Sequence, residues 1–166
     1  MYSPFVKTTN FKDFMSVIPA SVSVIGLVKE SQIFGCTISS LLSLNVIKPE
    51  LLFVLRNGST LLNAIVHDEL FTINVLSDRQ KELADYYSSS REIESLSNTK
   101  NPWKELNPGL IVLEKSKVSF GCRLKRLEQL ETSTLIFCTP EAAFETVSTS
   151  PLTYSNREYF RLSNLS

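Results

Sequence analysis

Glycine is scarce in this 166-residue chain, which contains only five, at positions 26, 35, 58, 109 and 121. No two of them are spaced to form a G-x-G-x-x-G turn or a P-loop. Both of those elements need closely spaced glycines to bring backbone N–H groups against phosphate. The sequence therefore excludes the common glycine-rich nucleotide cradles.

Cysteine and histidine are also scarce, with three cysteines and a single histidine, His67. The cysteines are Cys36, Cys122 and Cys138; they form no C-x-x-C pair, and one histidine cannot complete a histidine-rich metal site. We therefore expect no metal, and the cysteines are interpreted as small buried hydrophobes. An odd number of cysteines without a signal-type N-terminus predicts a reducing, cytoplasmic setting.

A surplus of either charge and a long apolar run are missing as well. The chain has 17 acidic and 17 basic residues, so its formal net charge is zero. A nucleic-acid-binding surface needs an excess of Lys and Arg, so we expect no nucleic-acid partner. No apolar run approaches the roughly 20 residues that span a bilayer, and we expect no membrane segment.

The sequence does contain strand patterns, in a chain of the length of one domain covering residues 1–166. Residues 21–28 alternate, with Val22, Val24 and Val28 on one side, and residues 33–38 predict the second strand of a hairpin. Pro140 has no N–H to donate, so its strand is predicted to lie at an edge or to bulge there. Further strands are predicted over 51–55, 70–76, 110–113, 117–127, 134–147 and 159–162.

Two or three short helices are predicted around these strands. In the first, Phe11, Phe14, Met15 and Ile18 repeat at helical spacing on one apolar face, and Pro19 ends it. The predicted starts are Asn10 with Asp13, Ser59, and Ser77 with Gln80. Many sequential antiparallel strands favour a closed or partly closed barrel, and the strand order disfavours a βαβ layout.

Two polar clusters each follow a predicted strand. The first, residues 35–43, carries hydroxyls at Thr37, Ser39, Ser40 and Ser43, which suit hydrogen bonding to a heterocycle or a phosphate. A polar loop leaving a hairpin is the alternative, and the cluster taken alone favours it. Both interpretations stay open on the residues alone.

The second cluster, residues 56–60, directly precedes a predicted helix. Ser59 and Thr60 would add hydroxyl donors to the free amides of a helix start, and Arg56 would add a positive charge. An ordinary helix cap with a surface arginine is an equally good interpretation. Asn74, inside a predicted strand, needs a hydrogen-bond partner, which is either a neighbouring loop or a ligand.

Several of these segments together resemble the flavin reductase-like family. The resemblance rests on 35–40 with Ser43, 49–54, Ser59 with Thr60, 71–76, 80–83, Trp103, 120–122, 151–154, Tyr159 and Leu162. It spans Phe11 to Leu162. It implies a mainly β fold, a six-stranded antiparallel Greek-key split barrel with two or three short peripheral helices, assembled as a homodimer.

The resemblance also implies a flavin, FMN or FAD, near the dimer interface, and NADH or NADPH as hydride donor. The implied flavin-binding residues are Cys36, Thr37, Ile38, Ser39, Ser40, Arg56, Asn57, Ser59, Thr60, Asn74 and Arg91. Of these, Arg56, Ser59 and Thr60 are assigned to phosphate, and Thr37, Ser39 and Ser40 to the ring and ribityl chain. No catalytic side chain is expected, because the flavin carries the hydride chemistry. A partner monooxygenase is the implied recipient of reduced flavin.

Two departures from the family pattern bear on nicotinamide use. Ser133 stands where such reductases commonly have a histidine near the nicotinamide, and Tyr154 is the other residue assigned to that side. His67 lies in an unrelated segment and does not replace that histidine. Asn156-Arg157-Glu158 stands where the family tends to have a glycine with basic neighbours. The alternatives are therefore a flavin-binding protein that does not use NAD(P)H efficiently, or a barrel that acts only in protein interaction.

Overall fold

The computed structural model describes residues 8–65, 69–89, 94–95, 102–145 and 149–163. Within these ranges the chain is mainly β, with three short helices. The helices are α1 (Thr8–Ser16), α2 (Thr60–Ala64) and α3 (Lys81–Ser88). The strands are β1 (Ala20–Ser21), β2 (Ser23–Lys29), β3 (Gln32–Ile38), β4 (Leu42–Asn45), β5 (Glu50–Arg56), β6 (Leu70–Val75), β7 (Glu94–Ser95), β8 (Trp103–Asn107), β9 (Leu110–Leu113), β10 (Val118–Gln129), β11 (Ser133–Glu145), β12 (Leu152–Ser155) and β13 (Glu158–Arg161).

One large antiparallel sheet dominates the fold. Its strand order is β4-β5-β11-β10-β6-β2-β3, and the two-residue strand β7 pairs with the outer side of β3. Two smaller sheets, β1-β12-β13 and β8-β9, accompany it. The order of the large sheet has two ends, so the described strands form an open sheet and not a closed barrel.

The prediction of six strands is therefore wrong in number, although the mainly β class is confirmed. The six long strands β5, β11, β10, β6, β2 and β3 were all predicted and are consecutive neighbours in the large sheet. The strands that the sequence did not indicate are β1, β4, β7, β8 and β12. Each has two to five residues, and none is a continuous apolar run like Leu110–Leu113, by which the equally short strand β9 was predicted.

The large sheet has an apolar core on each of its faces. The first core receives side chains from all six long strands and from α2, among them Ile25, Phe53 and Phe71. The second core lies under α3, β8–β9 and β12 and includes Val24, Trp103 and others. Strand β2 alternates between the two cores, so it is buried on both faces.

Two glycines let aromatic rings approach the backbone of the β2–β3 hairpin. A Cβ at Gly26 would lie 2.3 Å from the Trp103 ring, and a Cβ at Gly35 would lie 2.5 Å from the Tyr87 ring. The Trp103 indole N–H donates to the Tyr87 hydroxyl at 2.7 Å. These glycines therefore fix how α3 and β8 pack on the sheet.

Pro140 lies at a bulge, as predicted. β11 pairs with β5 only as far as Cys138, so Pro140 lies beyond the end of that ladder. On the other side, the register between β10 and β11 shifts between Gly121 and Cys122, opposite Pro140. The missing N–H of proline therefore leaves no ladder hydrogen bond unmade.

The first helix differs from its prediction at the N-terminus. α1 begins at Thr8, so Asn10 lies inside the helix and the predicted cap at Asn10 is wrong. The helix ends at Ser16, earlier than predicted, so Ile18 of the predicted apolar face lies outside it. The described part of the chain leaves its apolar face uncovered, because Phe11, Phe14 and the neighbouring apolar residues are 48–62% exposed.

The Asn74 side chain connects four strands inside the protein. Its amide nitrogen donates to the carbonyl of Val24 at 3.1 Å and to the hydroxyl of Thr72 at 3.0 Å. Its amide oxygen accepts from the Leu113 N–H at 3.0 Å and from the Ser119 hydroxyl at 2.7 Å. Asn74 is fully buried, so a structural partner, and not a ligand, satisfies each of these bonds.

We expect Asn74→Ala to lower the free energy of unfolding by about 3 kcal/mol or more. The substitution leaves a buried N–H and a buried hydroxyl without an acceptor, at about 1–3 kcal/mol each, and also opens a cavity. Urea unfolding followed by the fluorescence of Trp103, the single tryptophan, measures the change.

Asn63→Ala is the matched control, because Asn63 is an exposed residue of α2. This control is expected to change stability by less than about 0.5 kcal/mol. An equal effect at the two positions would contradict the structural role of Asn74.

Candidate functional site

Strand β3 presents its side chains alternately to α3 and to the first core. Gly35 and Thr37 face α3, where the Thr37 hydroxyl donates to the carbonyl of Ala84 at 2.8 Å. Cys36 faces the other way and packs, partly buried, against the first core. The predicted ring-binding segment therefore has two sides, and the Thr37 hydroxyl holds α3 in place.

The end of this segment is partly occupied by internal contacts. Ile38 is buried in the first core. The Ser40 hydroxyl accepts from the Val54 N–H at 3.0 Å and donates to the Val54 carbonyl at 3.4 Å. Ser39 is exposed at the end of β3 and lines a cavity. The Ser39 hydroxyl is thus placed to meet a ligand, whereas the Ser40 hydroxyl ties the segment to β5.

Arg56 joins the two predicted clusters. It is the exposed last residue of β5, and its cross-strand partner is Ser133, the first residue of β11. Burial raises the pKa of the Cys36 thiol, and the positive charge of Arg56 partly offsets that rise. The hydrogen bonds between Ser40 and Val54 also bring the end of the predicted ring-binding segment against β5, the strand that ends at Arg56. Arg56, Cys36 and Ser133 therefore belong to one region.

Asn57 is used to hold the turn between β10 and β11. Its amide nitrogen donates to the carbonyls of Leu130 and Glu131 at 3.0 and 3.2 Å. Its amide oxygen accepts from the Thr134 hydroxyl at 2.8 Å. The side chain of Asn57 therefore fixes the turn that precedes Ser133.

The short helix α2 is capped by Ser59, as predicted. The Ser59 hydroxyl accepts from the Leu62 N–H at 3.2 Å, and the helix has five residues. So short a helix sums few peptide dipoles, and its own attraction for an anion is small. Gly58 adopts a φ of +78° with no atom within 4 Å of a Cβ position, so its backbone faces open space.

Cavities lie on both sides of α2. One of about 370 Å³ separates α2 from the β2–β3 hairpin and contains Thr60 together with Lys29 and Glu30. Another of about 430 Å³ lies towards the β10–β11 turn. The first is lined by Lys29, Glu30, Gln32, Phe34, Thr60, Asn63 and Ala64, and the second by Asn57, Gly58, Leu62, Asn63, Leu127, Gln129 and Thr134.

A separate cavity of about 340 Å³ lies between the end of β3, α3 and the β12–β13 hairpin. Tyr154 lies here, in an edge-to-face contact with Tyr159 at 5.1 Å between ring centroids. The lining residues are Val22, Thr37, Ile38, Ser39, Asp85, Ser88, Tyr154, Arg157 and Tyr159. The two residues assigned to the nicotinamide side are therefore not together, since Tyr154 lies in this cavity and Ser133 lies beside Arg56.

Charged and aromatic groups of this cavity interact with one another. Burial raises the pKa of Tyr159 to about 12, and the negative charge and hydrogen bond of Asp85 add to the rise. Lys81 pairs with Asp85 at 2.5 Å and lies over the Tyr159 ring at 5.2 Å. No sequence motif points to Asp85, and Arg157 stands out in the sequence only as a departure from a glycine.

Four remaining observations concern the candidates and expectations from the sequence. Arg91 and His67 lie outside the described residues. Asn74 is in the sheet interior, as described above, and has no surface that a ligand reaches. In the described part of the chain, no three His, Cys, Asp or Glu residues are grouped to hold a metal ion. No helix there is long and apolar enough to cross a membrane.

The chain is similar in sequence to named proteins along nearly its whole length. The FMN reductase (NADH) RutF of Escherichia coli is 27% identical over 157 residues, which are 95% of this chain and 95% of that protein. RutF of Serratia proteamaculans, also named FMN reductase (NADH), is 24% identical over 162 residues, 98% of this chain and 92% of its own.

Solved structures of low sequence identity share the fold. The NADH:FAD oxidoreductase SgcE6 of Streptomyces globisporus C-1027 superposes with a TM-score of 0.85 at 15% identity, over 99% of this chain and 100% of that one. The styrene monooxygenase flavin reductase SMOB of Pseudomonas putida S12 gives 0.80 at 18% identity, over 95% and 100%.

The family profile decides the classification, because it covers the sheet, the three cavities and both clusters. Residues 15–163 match the profile of the flavin reductase like domain. The protein therefore belongs to the flavin reductase-like domain family.

Proposed function

We propose that the protein is an oxidoreductase that transfers a hydride from NADH or NADPH to FMN or FAD. The family match over residues 15–163 carries this proposal. It is supported by the relatives of similar length that are named FMN reductase (NADH) and by the NADH:FAD oxidoreductase that shares the fold. Residues 1–166 would form a single domain of this kind.

The donor groups of the structure fit a flavin phosphate at the β5–α2 connection. Arg56 is exposed there, Thr60 carries a hydroxyl beside a cavity, and the backbone of Gly58 faces open space. Lys29 lines the same cavity as Thr60, but its charge is paired with Glu69 at 3.9 Å, so Arg56 is the cation assigned to the phosphate. Ser59 would act indirectly by capping α2, and Asn57 by holding the adjacent turn.

The ring and ribityl chain would lie along residues 36–40. Cys36 offers a partly buried thiol near Arg56, and Ser39 offers an exposed hydroxyl. Thr37 and Ser40 would act by fixing the backbone, because their hydroxyls bond to α3 and β5. A backbone held on both sides loses little conformational entropy when a ligand binds.

Bound flavin would supply the hydride-accepting chemistry, so the protein's part is to bind and orient both reactants. No general base is required for that step. The buried faces of β2 and β3 give the site a rigid apolar wall that keeps water from one side. Cys36 stays protonated at neutral pH, because burial raises its pKa.

A second candidate function is a flavin-binding protein that uses NAD(P)H poorly. It rests on Ser133, which has neither the ring nor the charge of the histidine common in the family. Ser133 lies directly across from Arg56, so its side chain borders the proposed flavin site.

We further infer that the protein is a homodimer that supplies reduced flavin to a partner monooxygenase in the cytoplasm. The exposed apolar residues of α1 and of the β4 region, Val46 and Ile47 above all, support an interface with a second copy. One fold relative is named as the flavin reductase of a styrene monooxygenase, which supports the partner class.

Three free thiols agree with a reducing compartment. Side chains from six long strands around the first core support a split-barrel, Greek-key description of the sheet.

The purified protein is expected to be yellow, or to bind added FMN or FAD, and then to consume NADH or NADPH. Visible absorbance measures flavin binding, and loss of absorbance at the reduced-nicotinamide band measures turnover. Flavin binding without consumption of either dinucleotide would favour the second candidate function. Absence of any flavin binding would overturn both.

Arg56→Ala is expected to weaken FMN binding by about tenfold or more and to leave riboflavin binding unchanged. A hydrogen bond to a charged group contributes about 1.5–3 kcal/mol. Riboflavin lacks the phosphate, so its binding does not depend on this hydrogen bond. Fluorescence titration of each flavin gives the two affinities.

Lys125→Ala is the control, because it removes an equal charge from a residue that pairs with Glu50 on the surface. Its FMN affinity should match that of the unmodified protein. Equal weakening of FMN and riboflavin in the Arg56 variant would show that Arg56 does not contact the phosphate.

Ser133→His is expected to raise the rate of NADH consumption severalfold at saturating flavin. The imidazole would stand across from Arg56, beside the proposed ring site, and could stack on a nicotinamide. Steady-state kinetics with NADH and NADPH measure the rate. An unchanged rate would remove the missing histidine as the cause of weak nicotinamide use.

A further inference from the structure

The chain crosses from one end of the large sheet to the other at residues 39–41. β3 is the last of the six long strands at one end, and β4 lies at the opposite end, next to β5. This corner contains the end of the proposed ring segment, residues 36–40. The ring segment therefore meets β5, the strand that ends at Arg56, at this corner.

At the corner, the hydroxyl of Ser40 takes the place of a strand residue. β4 and β5 pair in a register that sets Leu42 opposite Leu52. Two residues further along each strand, the same register sets Ser40 opposite Val54, but Ser40 belongs to no strand. Its hydroxyl accepts from the Val54 N–H at 3.0 Å and donates to the Val54 carbonyl at 3.4 Å. One side chain thus makes both bonds that a paired residue exchanges in an antiparallel ladder.

This bond fixes the corner close to Arg56. Val54 and Arg56 are two residues apart on β5, so their side chains leave the same face of the sheet, about 7 Å apart. Arg56 is held from the other side of the strand, because it pairs with Ser133 of β11. The Ser40 hydroxyl therefore sets the position of the corner relative to a backbone that is already held.

The rest of the ring segment is held by contacts that do not involve β5. β3 pairs with β2 as far as Ile38, and the Thr37 hydroxyl donates to the carbonyl of Ala84 in α3 at 2.8 Å. Loss of the Ser40 hydroxyl would leave these contacts in place. It would release only the fixed spacing between the ring segment and Arg56.

We propose that Ser40 is a positioning residue that sets the spacing between the ring segment and Arg56, and that this spacing makes the site prefer a flavin with a phosphate over one without. The inference rests on the proposed function, in which Arg56 holds the phosphate. The Ser40 hydroxyl acts through the arginine, because its own hydrogen bonds are made to Val54.

The preference follows from the covalent link between the two ends of FMN. Once the ring is bound, the phosphate meets Arg56 at an effective concentration that is high only where the spacing of the two subsites matches the ribityl chain. A fixed spacing also lowers the conformational entropy lost when the phosphate binds. Riboflavin has no phosphate, so its affinity does not depend on this spacing.

The main test is Ser40→Ala. Ser40 is exposed, so water can bond to the backbone groups of Val54 in the variant, which should therefore fold. We expect FMN to bind about fivefold more weakly, within the range of about 2- to 12-fold for a lost neutral hydrogen bond, and riboflavin less than twofold more weakly. Fluorescence titration with each flavin, without a dinucleotide, measures both affinities. Unchanged FMN affinity, or equal weakening of both flavins, would overturn the proposal.

A double variant tests whether Ser40 acts through the arginine. In the Arg56→Ala background, Ser40→Ala should weaken FMN binding by less than a further twofold, because no guanidinium remains to be positioned. A purely structural role would give the same loss with or without the arginine. Full additivity of the two substitutions would thus reject the proposal.

Two single variants show that the hydrogen bond is the cause. Ser40→Thr keeps a hydroxyl on the same Cβ and should bind FMN within twofold of the unmodified protein. Ser150→Ala is the matched control, because the Ser150 hydroxyl also donates to a backbone carbonyl, that of Leu162, at 3.2 Å, in a part of the chain away from β5. Its two flavin affinities should not change. The proposal fails if the threonine variant is as weak as Ser40→Ala, or if the control loses as much FMN affinity.

Because these titrations need no turnover, they separate the proposal from the proposed function. A preference for FMN that depends on Ser40, in a protein that consumes neither NADH nor NADPH, would support the proposal and reject the reductase activity. Additive effects in an active reductase would reject the proposal alone. An unmodified protein that binds neither flavin would reject both.

Discussion

The burial of β2 and β6 on both faces is the constraint on which the rest of the structure depends. These two strands lie between the two apolar cores, so neither face can carry a polar group without a partner inside the protein. Asn74 meets this requirement through bonds to β2, β9 and β10. The Asn74 amide therefore has hydrogen-bond partners for both its nitrogen and its oxygen, and these bonds align the strands that separate the cores.

The position of the candidate site follows from this two-sided packing. β3 pairs with β2 along its whole length, and Gly35 allows the Tyr87 ring to press α3 against it. The Thr37 and Ser40 hydroxyls then tie the segment to α3 and β5. A binding segment fixed from both sides is already organised before a ligand arrives, which reduces the entropy lost on binding. Gly26 and Gly35 serve this packing, and Gly58 and Gly109 have the positive φ that tight turns need.

Sequence patterns predicted the six long strands because their alternation or apolar runs extend over enough residues to be recognised. They did not predict strands such as β1 or β4, which exist because a neighbouring strand offers free hydrogen-bonding groups. The site was predictable in its segments but not in its individual hydroxyls. Thr37 bonds to a carbonyl 47 residues away and Ser40 to a residue 14 away. Such partners depend on the tertiary fold, and the spacing of residues along the chain does not predict them.

The sequence shows that Arg157 stands where the family tends to have a glycine. Only the structure shows that its backbone is in the left-handed region that favours glycine. A non-glycine residue in the left-handed region costs of the order of 1 kcal/mol or more, and the exposed ion pair of Arg157 with Asp13 returns less than about 1 kcal/mol. In the free protein the arginine is therefore roughly neutral or unfavourable for stability. The β2–β3 turn has the same backbone, with Glu30 at a φ of 50° and Ser31 at a φ of 63°. In both hairpins the strands pair up to the residues that flank the turn, so the ladder holds the turn in this conformation despite its cost. The pairing of the strands therefore accounts for the left-handed residues in both turns.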